Sequence, residues 1–205
     1  MPSQTRPDTR TKLLDAAKTL VDRQGFSATS IEQIIAAVGV TKGSFFYHFK
    51  SKGDLAQALI DRFAERDGEL LASSMERAEK LSDDPLQQLL IFIGLMIEVA
   101  EGLDTEDQPG CLFATYCFEG DQFDQATKQV IADAIQKWTD VIAAKLHAAA
   151  EQHPTTRDVD FVSLADLFSV IFEGAFVLAR TFEGRGIFAA QLRQYRTYVQ
   201  LLFGI

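Results

Sequence analysis

The run from Lys42 to Lys52, KGSFFYHFKSK, gathers hydroxyl, imidazole and ammonium groups into one short stretch. Ser44 and Tyr47 supply hydroxyls, His48 an imidazole, and Lys42, Lys50 and Lys52 positive charge. Hydroxyl and ammonium groups donate to phosphate oxygens, and Gly43 lets another backbone come close. On a helix turning about 100° per residue, Ser44, Tyr47 and His48 fall in one sector, and Phe45, Phe46 and Phe49 in the opposite one. The pattern predicts one face that buries three rings and one that presents polar groups. Lys42 and Gly43 stand at the helix N-terminus, which favours anions. The chemistry is recognition of phosphates and base edges rather than bond making.

Elsewhere the chain offers little for catalysis. It has no Ser/His/Asp order, no phosphate loop and no H-E-x-x-H run. Cys111 and Cys117 lie about 600° apart on a helix, so their thiols face different ways. No Lys, Arg or His stands near them in sequence to stabilise a thiolate, which favours inert thiols over an electrophile sensor. No enzyme activity, metal site or cofactor is expected, and no disulfide framework.

The charge is divided. The 205 residues carry a net −9, yet residues 1–52 hold eight Lys/Arg against four Asp/Glu, a net +4. Residues 53–205 hold twelve against twenty-five, a net −13. A basic head on an acidic body suggests that only the head meets a polyanion. The N-terminus, MPSQTRPDTRTK, lacks an apolar signal core. The longest apolar run, Leu89 to Ile97, is too short to span a bilayer. A soluble, cytoplasmic protein with no membrane partner is expected.

The elements that must position these residues read as helices. Leu13, Leu14, Ala17, Leu20 and Val21 form a first apolar stripe, stopped at Gly25. Ile31, Ile34, Ile35 and Val38 form a second. Thr29 can cap that helix, with Glu32 completing a capping box. Gly39 then breaks the chain, and Thr41 can cap the third helix. Two helices of about eight residues around a glycine turn make a helix-turn-helix. Ser51 and Asp54 can cap a long fourth helix, about 51–81. Further helices are expected near 85–103, 110–119, 122–152, 158–182 and 187–203, with breaks at 82–85, 104–109, 153–157 and 184–186. No strand pairing is evident. The fold class is all-α: a helix-turn-helix domain over 1–52 and a helical ligand-binding and dimerisation domain over 53–205, with the fourth helix as connector.

The segment TSIEQIIAAVGVTKGSFFYHFKSKGDL resembles the DNA-binding domain of the tetracycline-repressor (TetR) family. Thr29, Ile34, Gly39, Val40, Thr41, Gly43, Phe49, Lys52 and Leu55 match that family's pattern, and His48 fits its His/Tyr position. Phe46 stands where Tyr is usual, and Gly53 where Glu is usual. The resemblance covers about residues 10–60. It implies DNA contacts from Thr29, Thr41, Lys42, Ser44, Tyr47, His48 and Lys52, with Lys52 holding phosphate. It also implies a homodimer on a palindromic double-stranded operator and repression relieved by a small-molecule effector.

Beyond residue 60 the reading is physical. FVSLADLFSVIFEGAFVLARTF is apolar around most of its circumference, which calls for burial on several sides. Phe172 and Phe176, with Leu192 and Tyr195 of the last helix, are candidates for the core of a four-helix dimer interface. GCLFATYCFEG brings Cys111, Phe113, Tyr116 and Cys117 close in sequence. With Phe92, Met96, Trp138, Phe168 and Phe172 they are candidates to line an apolar effector pocket, where Arg180 could hold one carboxylate. For any one of these residues, plain core packing is the simpler alternative. A constitutive DNA-binding regulator or an activator is the other functional reading.

Overall fold

The computed structural model describes residues 8–103, 111–182 and 186–205, and only the backbone of Arg180. The breaks expected at 104–109 and 184–185, the helix start at Gly110 and the Arg180 side chain lie outside the described residues. Among those described there are nine α-helices and no strand: α1 Thr9–Gln24, α2 Ile31–Val38, α3 Lys42–His48, α4 Lys52–Leu81, α5 Pro85–Leu103, α6 Leu112–Phe118, α7 Gln125–Gln152, α8 Phe161–Phe182 and α9 Ile187–Leu202. A single 3₁₀ turn, Gly120–Gln122, follows α6. It takes up Gln122, the residue expected to open α7, which begins at Gln125 instead.

Local chemistry sets the ends of the first three helices. The Asp8 carboxylate accepts from the Thr11 amide at 2.7 Å and caps α1. Gly25, at φ +84°, closes it. The cap of α2 is one residue later than expected. Ser30 is the N-cap, its hydroxyl accepting from the Gln33 amide while Gln33 Oε1 returns to the Ser30 amide. Thr29 instead turns inward, donating its hydroxyl to the Gly25 carbonyl at 2.7 Å. The sequence holds two adjacent cap-type residues, and burial of the first leaves the second for the helix. Gly39 ends α2 in the left-handed region (φ +75°), where a side chain would be strained. Thr41 caps α3 through the Ser44 amide. Ser51 Oγ accepts from the Asp54 amide, but the Asp54 carboxylate accepts from the amide of Lys50 rather than that of Ser51.

The described chain forms two compact units, 8–65 with 111–131 and 66–103 with 132–205. This division differs from a cut after residue 52. The first unit takes in the opening of α4, all of α6 and the start of α7. Its core joins Leu13, Leu14 and Ala17 of α1, Ile34 of α2, Phe45 and Phe49, and Leu55, Leu59 and Ile60 of α4, all buried. Burying side chains of this size contributes about 1.5–3 kcal/mol each.

The second unit packs α9 against both α5 and α8. Trp138 stacks on Phe168 (centroids 5.6 Å apart, 16° between planes), and Phe92, Phe172 and Tyr195 close around Phe168. The Trp138 indole donates to the Asp67 carboxylate at 2.6 Å. Burial pushes the Asp67 carboxyl above its ordinary range. By length and composition, α5 and the Phe161–Ala179 stretch of α8 are apolar enough to cross a membrane, which the nine-residue run understates. In α5, Leu86, Leu89, Phe92, Ile93 and Met96 are buried in the unit's core.

Candidate nucleic-acid interface

The third helix sorts its faces much as its sequence predicts. Phe45 and Phe49 are buried, with Phe45 also edge-on to Phe46 at 5.3 Å. Phe46 departs from the expectation and is 43% exposed. Helix α3 ends at His48, so Phe49 turns inward from an extended residue (φ −137°) rather than from the helical stripe. Tyr47 is 85% exposed and meets His48 edge-on at 5.0 Å. Thr41, Lys42 and Gly43 are exposed, and Ser44 and His48 half-buried. Lys42 Nζ lies 3.1 Å from Glu32 Oε1, an exposed pair of the kind that contributes little and exchanges readily for a phosphate. Arg10 sits over the Phe49 ring at 5.3 Å.

Two residues of the expected contact set are used inside the protein. Thr29 is buried on the Gly25 carbonyl. Lys52 Nζ donates to the Phe26 carbonyl at 2.6 Å and lies 4.2 Å from the centre of the Phe26 ring. Desolvation there lowers its pKa, against the opposing charge of Glu119. Glu119, which sequence reasoning missed, accepts from the amides of Phe26 (2.8 Å) and Ser27 (2.6 Å) and from the Ser27 hydroxyl. Burial opposes its ionisation. The three Ser27 and Phe26 donors and the charge of Lys52 nonetheless hold its carboxyl below the usual range. No local signal marks Glu119, because its partners lie 92 and 93 residues away in sequence.

The comparisons with known proteins agree with this geometry. A family model described as bacterial regulatory proteins, tetR family, matches residues 13–59. A second, described as tetracyclin repressor-like, C-terminal domain, matches residues 85–195, more than half of the chain. The chain belongs to the TetR family. Such proteins are transcriptional regulators, typically DNA-binding repressors, and generally not enzymes. The chain is 36% identical over 105 residues to the HTH-type transcriptional regulator AcrR of Shigella flexneri, covering 51% of this chain and 46% of that one. It thus spans just under half of that relative's length. It is 24% identical over 170 residues to the HTH-type transcriptional repressor DhaR of Mycobacterium sp. (strain GP1), covering 83% and 81%. Among solved structures, a TetR-family regulator from Agrobacterium tumefaciens superposes with a TM-score of 0.74 at 24% identity, covering 92% of this chain and 96% of that one. A TetR regulator from Chloroflexus aurantiacus gives 0.72 at 26%, covering 93% and 91%.

In this TetR-family chain the residues expected to line one apolar pocket divide between the units. Phe113 packs edge-on to Phe63 at 4.8 Å, and Tyr116 stacks on Phe123 at 3.9 Å and donates to the Ala56 carbonyl. Cys111 is buried nearby in sequence, whereas Cys117 is exposed. Phe92, Met96, Trp138, Phe168 and Phe172 belong to the second unit's core instead. A cleft of about 480 Å³ in that unit is lined by Ser73, Ser74 and Arg77 of α4 and Leu95, Glu98 and Val99 of α5. None of the expected pocket residues lines it.

The expected dimer residues also turn inward. Leu192 and Tyr195 are buried, with the Tyr195 hydroxyl donating to the Leu164 carbonyl at 3.0 Å. Phe172 and Phe176 pack on Phe188. The helical period explains this, since it places Phe172 and Phe176 on the side of Ala165 and Phe168. The opposite side of α8 exposes Leu167, Val170, Val177 and Leu178, and α9 exposes Tyr198 and Leu201.

Proposed function

We propose that the chain is a repressor that binds a near-palindromic duplex operator as a homodimer and is released by a small molecule. The observation that carries this reading is α3. A glycine turn and a Thr41 cap present Lys42, Ser44, Tyr47 and His48 on one side, while Phe45 and Phe49 anchor the other. Thr41 and Gly43, both exposed at the start of the helix, complete the proposed contact set. The repressor name of DhaR supports the direction of regulation.

A second copy of the chain is the proposed cover for the outward apolar faces of α8 and α9. Helix-turn-helix proteins commonly read two half-sites about 34–36 Å apart, which requires two heads. Gly174 on the same face of α8 has nothing within 4 Å of a would-be Cβ, so a neighbouring backbone can approach. Effector binding is proposed for the second unit, where the Ser73–Val99 cleft combines apolar walls with a guanidinium and a carboxylate. Such a lining suits a small molecule with both apolar and polar parts. The reading places the protein in the cytoplasm, with its DNA.

The test is selection of bound duplexes from a randomised library by the purified protein. The expected outcome is enrichment of an inverted repeat bound by two copies. Failure to enrich any sequence at low salt overturns the reading.

A further inference from the structure

From the groups around Glu119 we infer that this residue is a positioning residue of the DNA-binding head, setting operator affinity by holding the turn ahead of the recognition motif. The inference rests on the repressor reading above and adds a residue from the end of α6 that holds the head in place. The turn between α1 and α2 presents two backbone amides and one hydroxyl toward a single carboxylate, Phe26 N–H and Ser27 N–H and Oγ–H toward Glu119. Its carbonyls receive Lys52, which donates to Phe26 O at 2.6 Å and approaches Ser27 O at 3.4 Å. One turn is therefore held by two opposite charges, Glu119 on its amides and Lys52 on its carbonyls. Hydrogen bonds to charged groups are the strong ones, and here they act on main-chain groups that fix the path of the backbone.

Two further observations show a built site. A Cβ at Gly25 would lie 2.6 Å from Glu119 Oε1, so the carboxylate has close access to the turn because residue 25 is glycine. Glu119 is itself held by its neighbours. Its amide donates to the Thr115 carbonyl at the end of α6, and Tyr116 and Phe123, on either side of it in sequence, stack at 3.9 Å and both meet the Phe26 ring. The turn leads directly into Thr29 and the Ser30 cap of α2, so its position sets where α2 begins.

The experiment compares Glu119→Ala and Glu119→Gln with wild type in the full chain, using a duplex enriched by the wild-type protein. It reads operator affinity, binding to an unrelated duplex at low salt, and residue-resolved amide exchange. Glu119→Ala is expected to lower operator affinity by about tenfold, equivalent to about 1.4 kcal/mol. Binding to the unrelated duplex should stay within about twofold, roughly 0.4 kcal/mol. Exchange should speed up at Phe26 and Ser27, while the buried α1 and α3 amides of Leu14 and Phe45 remain protected. Glu119→Gln keeps an acceptor without the charge and should fall between the two. Adding Lys52→Met to Glu119→Ala should cost less than Lys52→Met alone, because the two act on one turn. Wild-type affinity and exchange in Glu119→Ala overturn the inference. So does a loss of affinity that comes only with faster exchange throughout the head, which marks a merely structural contact. A wild-type protein that enriches no duplex overturns the repressor reading, while the exchange measurements still decide whether Glu119 holds the turn.

Discussion

Lys42 and Lys52 carry the same charge near the same helix but meet different partners. Lys42 is exposed and paired with the exposed Glu32, while Lys52 is committed to the Phe26 carbonyl and ring. A phosphate contact made by Lys42 releases counterions when it forms. Lys42→Ala should therefore weaken binding to all duplexes and flatten the salt dependence by about one unit. Lys52→Ala should lower operator affinity with little change in that slope, because it loosens a turn rather than removing a phosphate contact. Salt titrations of both variants check the contrast, and equal slope changes would return Lys52 to the phosphate. Asp67 gives a prediction for the second unit. Burial raises its pKa, so its charged form costs stability at neutral pH, and that cost fades as acidification through its folded pKa protonates it. Asp67→Asn retains an acceptor for the Trp138 indole. It should raise Tm at neutral pH by about 2–4 °C, roughly 1 kcal/mol, with the gain shrinking as pH falls.

At the scale of elements, helices with a one-sided stripe and a marked end were legible in the sequence. Pro85 opens α5 as expected, and Gly25, Gly39 and Thr41 end or cap the helices that their types suggest. The head was readable because its instructions are local: a cap, a glycine and a short stripe lie within a few residues of one another. Glu119 stayed hidden because its partners are 92 and 93 residues away. The Thr29 cap was lost to a local competitor, the Gly25 carbonyl four residues back, which takes its hydroxyl and leaves the cap to Ser30. Helix α8 is apolar nearly all round, so composition could not separate its inward face from its outward one, and Phe172 and Phe176, expected at a dimer contact, pack half-buried on Phe188 within the chain. Large rings drew that assignment. The exposed face is made of smaller groups, Val170, Gly174 and Val177. Val177→Glu should therefore give monomers, because an ionised carboxylate in a dimer contact costs several kcal/mol. Light scattering checks it, and a variant that stays a tight dimer removes this face from the interface.

At the scale of the whole molecule, the first compact unit is not one continuous stretch of chain. Residues 8–65 are completed by 111–131, which bring Tyr116, Glu119 and Phe123 to Phe26, Tyr116 to Ala56 and Thr127 to Gln57. The two segments are separated by helix α5 and the end of α4, both of which belong to the second unit. On the ribosome, then, the part that would read DNA waits for a later part of the chain. Its three leading helices emerge with the Phe26 ring and the turn amides unmatched, and they reach their final arrangement only after Phe123 and Thr127 have left the exit tunnel. By then all of α5 has also been made, and a nascent chain halted before residue 111 would carry the recognition helix without the lock that aims it. The same break in continuity limits transplantation. A head moved onto another regulator by a single splice at residue 52 or 65 leaves its clasp behind, and a working graft needs two crossovers, the second carrying 111–131.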